Sequence, residues 1–281
     1  MFKSSVPPFR GYTAPGSVPT PPEGVVVEDG ETLDFISGHW RIFQYKKGHR
    51  FSTDDVLVGW YGSQWAPTVS TYCDLGSGIG SVAMVVMWRR PGCRVLTVEA
   101  QERSFRLQQK TLAYNGLQSR VTQLLGDLRD VDAYLPHAPF DLVTGSPPYW
   151  DEADALPADH PQAVPARLEV RGSVADYAAT AAQLLAPGGV FATVFPDVQH
   201  ERVVAGLEAA GLRLIRSRAV RFKEGVDSRV SGLRLYLAGR AQDLPETFTP
   251  WTEPPLTIRN KDGSVTDEYS AIKMSFGFAP G

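Results

Sequence analysis

Asp74-Leu75-Gly76-Ser77-Gly78-Ile79-Gly80 decides the fold. The residues leading into it (70–75) are β-prone, and those leaving it (79–88) carry the apolar spacing of a helix. Glycines between a strand and a helix permit a tight turn. They also let a ligand approach the backbone where unpaired N–H groups face outward. The spacing is Gly-x-Gly-x-Gly with an acid just ahead of it. A pyrophosphate-binding turn calls instead for Gly-x-Gly-x-x-Gly. A ligand with an amino group and no phosphate fits this turn better.

Working outward, strands are expected at 94–99, 121–125, 140–144 and 189–195, with helices at 101–115, 173–185 and 198–210. Regular strand–helix alternation implies a parallel sheet covered on both faces. Two more strands, 212–223 and 230–237, are close in sequence and form an antiparallel ending. The expected fold is therefore α/β, a Rossmann-like seven-stranded sheet, mostly parallel with an antiparallel last strand. Upstream, residues 1–24 are rich in Pro, Gly and Ser and read as a flexible leader. Residues 25–69 read as an N-terminal cover. In it Val25-Val26-Val27 and Trp40-Arg41-Ile42-Phe43-Gln44 are short strands, and Thr53 caps a helix with Asp54 and Asp55 in its first turn. The main domain spans 70–243, and 244–281 is an extension packed on it.

The 281 residues suit one large domain of this architecture, and a formal net charge of -3 excludes a broadly basic nucleic-acid coat. Cys73 and Cys93 sit among apolar residues without metal-ligand spacing and read as buried thiols. No metal is expected. Neither a signal-peptide run nor a stretch of ~18 apolar residues is present, so a cytoplasmic protein with no membrane contact is expected.

Acids stand at the carboxyl ends of three successive strands. Asp74 closes the first, Glu99 the second, and Asp127 follows the third. Asp74 suits an α-amino group, Glu99 a pair of ribose hydroxyls and Asp127 an adenine amino group. Together they describe S-adenosylmethionine.

The fourth strand runs into Ser146-Pro147-Pro148-Tyr149. Successive prolines fix the backbone, so the carbonyls of Ser146 and Pro147 can be held rigidly, and Tyr149 offers a flat face to an aromatic substrate. Such parts answer a specific difficulty. The lone pair of an exocyclic amine is delocalised into its ring, and acceptors gripping its two protons favour pyramidalisation towards a methyl donor. Positioning and electrostatics carry this chemistry without a covalent nucleophile or a metal.

Ser146-Pro147-Pro148-Tyr149 resembles the Asn/Asp/Ser-Pro-Pro-Tyr signature of methyltransferases acting on adenine N6, cytosine N4 and glutamine amide nitrogens. The flanks 40–44 and 48–60, with Pro255-Leu256-Thr257-Ile258-Arg259 and Thr266-Asp267-Glu268-Tyr269, resemble segments of bacterial tRNA1(Val) adenine-N6 methyltransferases. The likeness spans roughly residues 33–276. It implies the class I methyltransferase sheet, S-adenosylmethionine as donor, and methylation of the anticodon-loop adenine of a valine tRNA. The anticodon arm would then be the partner. Carried over, Asp74, Gly76, Gly78, Glu99 and Asp127 would bind the donor, bordered by Phe51, Thr53 and Asp54. Ser146, with Pro147, Pro148 and Tyr149, would meet the target amine.

Serine stands at 146 where the tRNA enzymes usually carry Asn, and serine is more usual among cytosine-N4 enzymes. A cytosine-N4 DNA enzyme, a glutamine-amide enzyme and a non-catalytic RNA-binding scaffold therefore stay open beside the tRNA reading. For phosphate contact the candidates are the basic strand Arg213–Lys223, the group Lys46, Lys47, His49 and Arg50, and Arg167 in the loop 151–172. For 213–223 a solvated, charge-protected edge strand is the competing expectation. Arg50 has the alternative of pairing with Asp54 or Asp55.

Overall fold

The computed structural model describes residues 22–150 and 168–280. Most of the expected leader, and the loop from 151 to 167 with Arg167, lie outside the described residues. The described chain opens with an antiparallel ribbon, β1 (Glu31–Phe35) on β2 (Arg41–Tyr45), followed by α1 (Thr53–Trp65). Alternation then sets in: β3 (Thr71–Leu75), α2 (Ser81–Arg89), β4 (Arg94–Glu99), α3 (Glu102–Asn115), β5 (Val121–Leu125) and β6 (Phe140–Gly145). It continues with α4 (Val174–Leu184), β7 (Leu185–Pro196), α5 (His200–Ala209), β8 (Leu212–Arg221) and β9 (Gly232–Arg240). The last elements are β10 (Trp251–Thr257) and α6 (Asp267–Ser275).

The large sheet has the order β10-β8-β9-β7-β6-β3-β4-β5. Every neighbouring pair is parallel except those of β9, which lies antiparallel between β7 and β8. The seven expected strands are all present, and β10 adds an eighth. Residues 254 and 255 of β10 are prolines, which cannot donate to a ladder and so hide a strand from its sequence. An edge tolerates them.

Side chains along the central strands alternate between two cores. Tyr72, Val95, Leu142 and Ala192 face the cluster built with α1, α2 and α3. Cys73, Leu96, Val143 and Phe191 face the cluster built with α4 and α5. That is the period of two expected of a strand buried on both faces. Both cysteines are buried free thiols.

The ribbon differs from expectation. Val26 and Val27 are 60% and 49% exposed and belong to no strand; Glu31–Phe35 pairs with β2 instead. Its acids disguised it, because their partners are remote in sequence. Glu31 is buried against Lys110 at 2.6 Å, and Asp34 accepts from Gln44 and from Arg50, each at 2.9 Å. Arg50 is thus spent on Asp34 rather than on Asp54 or Asp55.

From β3 the sheet grows in both directions, through β4 to one side and β6 to the other. That reversal leaves a crevice at the carboxyl ends of these strands, the usual ligand position in an open α/β sheet. No helix among the described residues is long and apolar enough to cross a membrane.

Candidate active site

A cavity of about 670 Å³ occupies this crevice. The turn after β3 forms its floor. Gly76, Gly78 and Gly80 all have positive φ, at 59°, 55° and 89°, so the turn requires glycine at each. At Gly76 a Cβ would stand 2.0 Å from the Tyr177 hydroxyl. At Gly78 it would meet nothing within 4 Å, because that side of the turn is open to the cavity.

Three charged groups surround the turn in different states. Asp74 is 1% exposed. Its Oδ1 accepts from the Thr144 hydroxyl at 2.6 Å, and Oδ2 is buried with no hydrogen-bond partner. Burial pushes this carboxyl up to about 7. Glu99 is satisfied at both oxygens, accepting from Gly78 N–H at 2.7 Å and Gln101 N–H at 2.6 Å, and burial raises it too. Asp127 is turned away. Its carboxylate binds Arg129 at 2.6 Å, which together with hydrogen bonds from Arg129 holds it low, and Gly126 and Leu128 line the cavity in its place.

The segment after β6 forms the opposite wall, where Ser146, Pro147, Pro148 and Tyr149 all line the cavity. Tyr149 is fixed at three points. Its hydroxyl donates to Asp54 Oδ2 at 2.6 Å, and its carbonyl accepts from Gln199 Nε2 at 3.0 Å. Its ring meets Phe195 edge to face at 5.3 Å between centroids. Burial and the neighbouring Asp54 keep the phenol well above its ordinary range. It is a held ring and not an acid.

The head of α1 closes the cavity. Ser52 N–H donates to Asp55 Oδ2 at 3.1 Å, and the Ser52 hydroxyl bonds Asp54. Asp55 is buried and strongly raised by burial and by Asp54. Phe51 and Asp54 line the cavity, whereas Thr53 faces a smaller one next to it. The structure thus brings together ten of the twelve residues expected at the site; Thr53 and Asp127 stand just outside the wall.

Sequence reasoning missed Asp55, Tyr177 and Arg171, all in the lining. Asp55 was visible only as a helix-capping acid. Tyr177 carried no signal, since it reaches Gly76 and Gly145 from α4 across a long stretch of chain. Arg171 donates to the Ala100 carbonyl at 2.6 Å beside Glu99.

The basic strand needs correcting. β8 is not an edge, because β10 pairs along it. Arg216 lies between the rings of Trp65 and Trp251, 3.4 and 5.2 Å from their centroids, with Glu253 at 3.6 Å. Arg218 binds Glu268 at 2.6 Å and the Pro254 carbonyl at 2.9 Å. Both guanidiniums hold the C-terminal segment to the sheet and leave no phosphate ridge on this strand's centre.

The model of the methyltransferase small domain family matches residues 64–204. The tRNA1(Val) (adenine(37)-N6)-methyltransferase of Porphyromonas gingivalis is 26% identical over 81% of this chain and 88% of its own. That of Phocaeicola vulgatus is 26% identical over 86% and 96%. A release factor glutamine methyltransferase from Rhodospirillum rubrum is 33% identical, over only 50% of this chain and 44% of its own. Among solved structures, a predicted O-methyltransferase from Agrobacterium tumefaciens superposes with a TM-score of 0.58 at 18% identity, covering 81% of this chain and 98% of that one. At that identity the likeness speaks for the fold.

Proposed function

The chain belongs to the methyltransferase small domain family and is an S-adenosylmethionine-dependent methyltransferase; from that premise we propose that its acceptor is the exocyclic N6 of an adenine in the anticodon loop of a valine tRNA. The observation that carries the reading is the orphaned Asp74 Oδ2 in the same cavity as Ser146–Tyr149. One wall lacks a cationic partner, and the other is built to grip a planar amine.

When bound, S-adenosylmethionine supplies an electrophilic methyl group on sulfur. The residues present fit it. Asp74 offers a carboxylate oxygen to an ammonium, Gly78 leaves its open face to the ligand, and Glu99 holds the turn while facing ribose hydroxyls. Asp127, bound to Arg129 outside the cavity lining, is the one acid of the three that does not face the donor in this arrangement.

On the acceptor side, the amine's two N–H groups donate hydrogen bonds to acceptors among the Ser146 and Pro147 carbonyls and the Ser146 hydroxyl, which localises its lone pair. A base drawn from its stack lies against the Tyr149 ring, held by Asp54 and Phe195. Acceleration comes from orientation, and water is kept from the amine by Pro147, Pro148 and Tyr149. The choice of tRNA adenine is supported by the relatives that match over most of their length.

The test offers labelled methyl donor separately to total tRNA, DNA and protein, followed by nucleoside and amino-acid mass spectrometry. N6-methyladenosine in tRNA is the expected product. N4-methylcytosine or methylglutamine overturns the acceptor assignment.

A further inference from the structure

Next to the main cavity, and sharing Phe51 and Ser52 with it, lies a second cavity of about 230 Å³. Thr53 and Val56 of α1 form one side. Tyr269 and Lys273 of α6, with Phe276 and Phe278 after it, form the other. The rings are held in place: Phe276 is fully buried and meets Phe278 edge to face at 5.2 Å, and Tyr269 is hydrogen-bonded by the Thr53 side chain. Phe51, Tyr269 and Phe278 are only partly buried. An aromatic surface is therefore left open beside the methyl-transfer site.

Its charges are as telling as its rings. Lys273 enters no ion pair among the described residues. Burial and the nearby charge of Arg259 hold its ammonium below the ordinary range. Arg259 in turn donates to the Gly263 carbonyl at 2.8 Å and has no carboxylate partner among the described residues. This protein has 31 acids against 28 Lys and Arg, and its largely buried Arg218 and Arg234 each bind a carboxylate. A half-buried ammonium beside an exposed second cation, with no acid between them among the described residues, is stabilised by an anion from outside.

We propose that this second cavity is a subsite for the nucleotide adjoining the target in the RNA, with its base stacked among Phe51, Tyr269 and Phe278 and its phosphate between Lys273 and Arg259. The inference rests on the RNA reading of the acceptor. Flat partly open rings beside unpaired cations match a base with its phosphate. Extruding one base from an anticodon loop exposes its neighbour's face at the same time. The shared wall at Phe51 and Ser52 sets the two cavities one beside the other, as successive nucleotides require.

The test compares wild type, Lys273→Gln and Phe278→Leu. The probe is an anticodon stem-loop RNA carrying the unmethylated adenine, titrated across a salt series, with S-adenosylmethionine affinity and thermal melting measured in parallel. Leucine keeps the position apolar, so the fold is retained. Lys273→Gln should shrink the log–log salt slope by ~0.7, the value of one lost single-strand phosphate contact. Phe278→Leu should weaken binding about fivefold or more and leave the slope alone, because only stacking is lost. Donor affinity should move in neither. If wild type binds and methylates the RNA but both folded variants bind it as wild type does, the subsite is overturned and the acceptor reading stands. A wild type that methylates no RNA removes both. A fall in donor affinity in either variant assigns the cavity to the donor and also overturns the subsite.

Discussion

Asp74 shows how far a single side chain could be read in advance. Its place at the end of β3, ahead of the glycine turn, marks it as the candidate acid for an amino group. That Thr144 would satisfy only one of its oxygens lay beyond reach, because Thr144 comes from the neighbouring strand far along the chain. The same holds for Tyr149, whose ring was legible in its motif but whose bond to Asp54 was not. Burial raises the Asp74 carboxyl to about 7, so below that pH the unliganded protein holds it protonated. An ammonium needs the carboxylate. Donor affinity should therefore fall about tenfold per pH unit below 7, and binding at pH 6 should release a proton. Calorimetry at pH 6 in two buffers of different ionisation heat checks this, and equal heats would refute it. The stability consequence has the opposite sense. A carboxyl raised in the folded state stabilises the fold at low pH, and that contribution is lost as pH rises through 7. Asp74→Asn should accordingly melt higher than unliganded wild type at pH 8, by a margin that shrinks steadily as pH falls from 7 towards the ordinary carboxylate value of 3.8, and bind the donor poorly.

At the scale of elements, the alternating strands and helices were legible because each obeys its own local period, and turn residues mark the boundaries. β1 and β10 were not. Glu31 and Asp34 interrupt one pattern and Pro254-Pro255 the other, and both strands exist through partners elsewhere in the chain. β10 is fastened by side chains as much as by its ladder. Glu253 accepts from the Tyr61 hydroxyl at 2.6 Å and pairs with Arg216, itself held between two tryptophans. Arg216→Ala should cost ~1–3 kcal/mol, combining a lost cation–π stack with a carboxylate left short of its partner. Denaturant unfolding reads this directly. RNA affinity should not change, because this arginine faces Trp65 and Trp251 rather than solvent; a variant that unfolds normally but loses RNA would restore β8 as a phosphate contact.

For the whole molecule, the site exists because strand order reverses at β3, and its glycines serve two ends that a paired substitution can separate. Gly78 and Gly116 share a left-handed backbone, with φ of 55° and 67°, and a Cβ at either meets nothing within 4 Å. They differ in what the open space is for. Gly116 terminates α3 at the surface, whereas Gly78 faces the main cavity. Alanine at either should therefore lower unliganded stability by a similar ~1–2 kcal/mol, the penalty for a side chain in that conformation. Donor binding should then tell them apart. At about a hundred times its Kd a ligand adds ~2.7 kcal/mol to the folded state. Wild type and Gly116→Ala should both show that rise in melting temperature, and Gly78→Ala should not, because its methyl group occupies the donor's space. Equal ligand-induced shifts in the two variants would mean that the open face of Gly78 does not meet the donor, and the assignment of the glycine turn would fall with it.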